Sequence, residues 1–109
     1  MAKVHIVVSR TNARADTGST LPVPDAIPVQ AMTVASAGVS QVVAVVPSSQ
    51  SYLVCHVTGV GGAIWLAVGA DGAADPDAGE GKGWLLQDGE TRSLGVGGGQ
   101  KIAIRDAVL

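Results

Sequence analysis

Phenylalanine is missing from this chain, and aromatic residues of all kinds make up only 3% of its 109 residues. The core must then be built mainly from Val, Ala, Leu and Ile, with Trp65, Trp84 and Tyr52 expected as its large anchors. Cysteine is nearly absent too: Cys55 stands alone, which excludes an internal disulfide framework and fits a reducing cytoplasm. Charge is sparse, with a formal net of -2, and from Ala26 to Ala70 there is no Asp, Glu, Lys or Arg. A stretch of that kind is either buried by its own fold or covered by another subunit, because monomers seldom expose large contiguous apolar patches. Long hydrophobic runs are missing as well. "VVAVV" (42–46) and "AIWLAV" (63–68) fall far short of the roughly 20 residues a membrane helix needs. "MAKVHIVVSR" lacks the long apolar region and small-residue cleavage pattern of a signal peptide, so the expected compartment is a cytoplasm.

What is present reads as strand and turn. A chain of this length makes one domain and buries roughly two-thirds of its unfolded surface. "AKVHIVVS" is rich in β-branched residues and predicts a first strand. Residues 9–30 hold three of the five prolines and no period of 2 or 3.6, which predicts an extended arm. The division expected is residues 1–30 as strand plus arm and 31–109 as the sandwich. Within the latter, "MTVASAGVSQVVAVV" holds two short apolar runs. "SYLVCHVTG" alternates, placing Tyr52, Val54, His56 and Thr58 on one face and Leu53, Cys55 and Val57 on the other. "AIWLAVGA", "GWLLQDGETRSLGV" and "QKIAIRDAV" follow between Gly-rich turns. Six to eight short strands without a capped helical segment predict an all-β fold, an antiparallel β-sandwich or jelly roll with an extended N-terminal arm.

Each candidate for chemistry has a plainer reading beside it. Asp71, Asp75, Asp77 and Glu80 offer oxygen ligands of the kind calcium takes, but the EF-hand spacing is absent and Pro76 among small residues suits a solvated turn. "GVGGGQK" (95–101) invites comparison with a phosphate loop; it precedes a strand and lacks the Gly-Lys-Ser/Thr ending, so a tight hairpin is expected. Cys55 and His56 are neighbours whose side chains leave a strand on opposite faces, so a Cys-His pair would require His5 to fold against Cys55. No Cys/His spacing suits zinc, and no basic face with interleaved aromatics suits nucleic acid. The expectation is therefore a protein that is not an enzyme, with no catalytic, cofactor-binding or metal residues and no cofactor.

From Ser51 to Ala107 the chain resembles small β-rich virion proteins encoded in the structural gene clusters of tailed bacteriophages and prophages. The resemblance rests on "SYLVCHVTGVGGAIWLAVGADGAADP" and "GKGWLLQDGETRSLGVGGGQKIAIRDA": an aromatic-bearing strand ending in a Gly-Ala turn, a polar loop, a Gly-Trp-Leu segment and a closing Lys-Ile-Ala strand. Gly97-Gly98-Gly99 stands where that pattern has a Pro-Gly-like turn. The resemblance implies a virion component assembled in the host cytoplasm, a capsid decoration (cement) protein. Such a protein would form a homo-oligomer, a dimer or trimer, and bind the major capsid protein or another virion protein through its apolar face and N-terminal arm. Membrane and nucleic acid are not expected partners. A neck, tail or fibre subunit is the alternative within that class, and a carbohydrate-binding sandwich using Trp65 or Trp84 is the alternative outside it.

Overall fold

The computed structural model describes residues 2–12, 23–24, 28–47, 53–69, 78–79, 81 and 83–107. Nine strands follow one another among them: β1 (Lys3–Asn12), β2 (Val23–Pro24), β3 (Gln30–Ala35), β4 (Gln41–Val45), β5 (Leu53–Val60), β6 (Ile64–Gly69), β7 (Trp84–Leu86), β8 (Thr91–Val96) and β9 (Lys101–Asp106). They form two antiparallel sheets, so the fold is an all-β sandwich. The first sheet runs β3-β1-β5-β8, with the two-residue β2 pairing the far end of β1; the second runs β4-β9-β6-β7. The first strand reaches Asn12 rather than stopping at Ser9, and Val23–Pro24 fold back onto Thr11 and Asn12. The rest of the expected arm lies outside the described residues.

Setting β2 aside, both strand orders are those of a jelly roll, with the chain crossing repeatedly between sheets and a single hairpin, β6-β7, within the second. One position differs in origin. The strand between β3 and β5, which a jelly roll ordinarily receives from the segment after β9, is supplied here by the N-terminal β1. Ala2 and Asp106 meet at Ser36, where that link would run. The Ser36 hydroxyl accepts from the Ala2 N–H at 2.9 Å and bonds the Asp106 carboxylate, while the Asp106 N–H donates to the Ala37 carbonyl at 2.8 Å.

Alternation decides which side chains go inside. On β1, Val4, Ile6 and Val8 face the second sheet; on β5, Leu53, Cys55 and Val57 do; on β9, Ile102 and Ile104 answer them. The expected split of β5 into two faces is observed for every described residue in it. The tryptophans, however, are not core anchors. Ile6, Leu53, Ile64, Leu66, Leu86, Ile102 and Ile104 are the largest fully buried side chains, while Trp65 lies on the outer face of the second sheet and Trp84 is 52% exposed. Branched aliphatics from two facing sheets fill the space without a ring, and Tyr52 lies outside the described residues.

The glycines act at the corners. Gly61, Gly89 and Gly99 hold φ of 99°, 83° and 83°, a region unfavourable to side chains, at the links from β5 to β6, β7 to β8 and β8 to β9. Each of these links joins strands of different sheets. The Gly97–Gln100 turn is therefore tight but is an arch between sheets and not the expected hairpin: β8 pairs with β5, and β9 with β4 and β6.

Candidate functional site

Two surfaces carry polar or aromatic groups in a definite arrangement. The first is a groove of about 290 Å³ lined by Ala67, Val68, Trp84, Leu94, Gly95 and Gln100. It exists because β7 is short: its three residues pair with Ile64–Leu66, leaving β6 from Ala67 onward without a β7 neighbour. Trp84 pairs with the buried Leu66 and so starts on the inward side, but β7 is the last strand of its sheet and half the indole remains in solvent. Across the gap Arg92 occupies an inward position of β8, opposite Val57, and its guanidinium carbon sits 4.7 Å from the centre of the Trp84 ring. Stacking of this kind satisfies the cation partly through the ring's negative face. Arg92 Nε is nevertheless buried without a hydrogen-bond partner. At the groove's other end, Gln100 Oε1 accepts from the Gly97 N–H at 2.6 Å, leaving its amide hydrogens as the donors it can offer.

Gly83, just before Trp84, could not be another residue without rearrangement. A Cβ there would lie 2.7 Å from the Leu66 carbonyl oxygen. This close approach sets where β7 begins and hence where Trp84 stands.

The second surface is the outer face of the first sheet. Register places Thr33, His5, Thr58 and Thr91 in one row across β3, β1, β5 and β8, and Ala31, Val7, His56 and Ser93 in the next. His5 Nδ1 lies 2.9 Å from Thr33 Oγ1, Thr58 Oγ1 2.6 Å from Thr91 Oγ1, and His56 Nδ1 2.7 Å from Ser93 Oγ. Both histidines of the chain thus share one hydroxyl-rich face, on which Lys3 lies in the row beyond His5. Sequence reading missed this because it depends on which strands become neighbours.

The residues considered earlier for chemistry do not converge. Cys55 is buried on the inner face, whereas His5 and His56 are on the outer one, so neither imidazole reaches the thiol. Burial pushes the Cys55 thiol above its ordinary range, against a smaller opposing effect of hydrogen bonding to the Leu94 backbone. Asp71, Asp75, Asp77 and Glu80 lie outside the described residues. Among those described, no group of three or more His, Cys, Asp or Glu is placed to hold a metal ion. Part of the same connection is not a solvated turn. Ala78 and Gly79 are buried, Ala78 packs with Ala67 and Ala103 on the outer face of the second sheet, and its N–H donates to Ser40 Oγ at 2.9 Å. Small side chains on both partners allow that approach.

Set against protein-family models, curated proteins and solved structures, the chain matches none of them.

Proposed function

We propose that this chain is a non-enzymatic structural protein of a bacteriophage particle, a capsid decoration protein that self-associates and binds the shell of the major capsid protein. The observation carrying this reading is how the uncharged stretch from Ala26 to Ala70 is distributed. Its β5 and β6 are interior strands, covered by their own sheets, but its β3 and β4 are the outermost strands on one side of the sandwich. Two of the three exposed valines belong to that side: Val39, between β3 and β4, is 70% exposed and Val45, on β4, 51%, while Val60, at the end of β5, is 60% exposed. Two edge strands without charge and with apolar side chains in water suit contact with another protein, and Lys3 and Lys101, opposite Ala35 and Val45, put a cation on the next strand of each sheet. The resemblance of residues 51–107 to virion proteins supplies the kind of assembly.

The test is quantitative mass spectrometry of purified particles from the source, giving copies of this chain relative to the major shell protein. Hundreds of copies are expected of a decoration protein. Tens or fewer would move it to the neck, tail or a fibre, and absence would overturn the structural reading.

A second reading, carbohydrate binding, is favoured by one observation: the half-exposed Trp84 indole beside Gln100 in a groove able to take a sugar ring. Titration with a glycan panel should then quench tryptophan fluorescence in the wild type and not in Trp84→Ala. Unchanged fluorescence across the panel would remove this reading.

A further inference from the structure

The geometry points to the free edge of β3 as a self-pairing edge: two copies of this chain join antiparallel through β3, with Thr33 facing Thr33 across a twofold axis. This specifies the contact behind the self-association proposed above, but it does not depend on the chain's belonging to a particle.

Hydrogen-bond parity shows which groups point outward. Antiparallel neighbours alternate between pairs that exchange both backbone bonds and pairs that exchange none. The Ser36 N–H donates to the Ala2 carbonyl at 2.8 Å, so in the register Lys3↔Ala35 through Val8↔Gln30 the even-numbered residues of β3 are the ones bonded to β1. Ala31, Thr33 and Ala35 therefore turn their N–H and C=O groups away from β1. Among the described residues β3 pairs with β1 alone, and the one outward group seen to be engaged is the Ala35 carbonyl, which accepts from Gln41 Nε2 at 3.0 Å.

Natural edge strands are usually blunted by charge, proline, a bulge or short length. β4 has a bulge between Val42 and Ala44 and is followed by Pro47; β8 carries Arg92; β7 has three residues. Within its own span β3 has none of these, and Pro28, two residues before it, leaves its outward groups at Ala31, Thr33 and Ala35 untouched. Its six residues, QAMTVA, are free of charge and proline and keep unbroken register with β1.

The same six residues are complementary to themselves. Directly opposed residues in an antiparallel pair share a face, so a twofold centred on Thr33 sets Thr33 against Thr33, Ala31 against Ala35 and Met32 against Val34. The outward N–H and C=O groups of Thr33 then bond in both directions, and Gln41 releases Ala35 to the Ala31 N–H of the second copy. Met32 and Val34, both half-buried at the rim of the core, cover each other. A strand without charge meets its own image without repulsion. On the outer face the row Thr91, Thr58, His5, Thr33 continues into its copy, making one hydroxyl-imidazole row across an eight-stranded sheet.

The experiment is light scattering coupled to size exclusion on the whole chain, with two variants at Thr33. The wild type should elute at twice the chain mass. Thr33→Pro removes an outward N–H that β1 does not use, so it should leave the strand circular dichroism unchanged and halve the mass. Thr33→Cys should form a cross-linked dimer on oxidation, since opposed Cα atoms at a bonded pair, about 5.5 Å apart, suit a disulfide. Thr91→Cys, in the same row at the other edge, should not. A monomeric wild type at 100 µM together with no Thr33→Cys cross-link would overturn the proposal, as would a wild-type oligomer that Thr33→Pro leaves intact. If Thr33→Pro does not fold, the cross-link decides. A dimer by these measures that is absent from purified particles would sink the virion reading alone; a monomer abundant in particles would sink this one alone.

Discussion

The sandwich has two open sides, and they are closed by different means. On the β7/β8 side Trp84 from one sheet and Arg92 from the other reach across the gap and stack, so the last strands of the two sheets are tied by side chains. On the β3/β4 side no charged residue occurs in either strand and valines stand in solvent. One side spends a large aromatic on covering its own core; the other leaves its backbone groups and small side chains available. The difference teaches that aromatic residues in a chain poor in them need not be core fillers, because the aliphatic interior here is complete without them. It also separates a side closed by its own side chains from one whose edge strands stay open among the described residues.

The contrast can be broken first from beneath. Leu66, fully buried and paired with Trp84, should lose about 2–5 kcal/mol on replacement by Ala, whereas Met32→Ala at the half-buried β3 rim should lose less than half as much; urea titrations give both values. Equal losses would mean that the β3 rim is as much core as the Trp84 side. Removing the tie itself has a smaller effect. Trp84→Ala should cost about 1–2 kcal/mol for a half-exposed ring, and Arg92→Gln about 1 kcal/mol, between the worth of an exposed cation-π contact and that of a desolvated one. A thermodynamic cycle over both positions separates the stacking from the area lost, and zero coupling would show the stack to be incidental.

Cys55 sharpens the comparison from the interior, since it packs between the two sides and titrates only in alkali. Its folded-state pKa is raised by burial, so below the unfolded value both states hold the proton and stability does not depend on it. Above about pH 9 the unfolded thiol ionises while the folded one stays protonated, so unfolding becomes easier as pH rises. Stability measured from pH 8 to 10.5 should fall more steeply in the wild type than in Cys55→Ala. Equal slopes would mean that the thiol ionises as readily inside as outside.

The smallest effect is expected from a change of connectivity. Because Ala2 and Asp106 both bond Ser36, linking residue 109 to residue 1 with a short Gly/Ser segment and opening the chain within residues 13–20 should preserve the fold. That permutant has the ordinary jelly-roll path. Strand circular dichroism and a cooperative melt near the wild-type temperature are the expected result; loss of both would show that the link between β1 and β3 is needed to hold the β3 edge in place.

Much of the fold was legible along the chain. The alternation in "LVCHVTG" shows which of its residues face inward, and Gly61-Gly62, Asp88-Gly89 and Gly97-Gly98-Gly99 mark corners where side chains would strain the backbone. The candidate surfaces were less legible. Trp65 and Trp84 sit in apolar runs that look like core; Trp65 falls on the outer side of its sheet, and Trp84, on the inner side, is left half in solvent by the shortness and edge position of β7. His5 and His56 are 51 positions apart in number and become near neighbours because β1 and β5 pair. Ala78 looked like part of a solvated acidic loop; its burial depends on Ala67 and Ala103 meeting on adjacent strands to leave room.

By itself, then, the sequence determined that the chain would form short antiparallel strands over an aliphatic core, because period-2 alternation, β-branched residues and glycine corners are local properties. Only the tertiary structure decided that the N-terminal strand lies inside the first sheet, that β3 and β4 become edges while β5 and β6 do not, and that Trp84 meets Arg92. These follow from strand order, which is set by contacts between residues far apart in the chain, and no local pattern encodes which strand will have a neighbour on both sides.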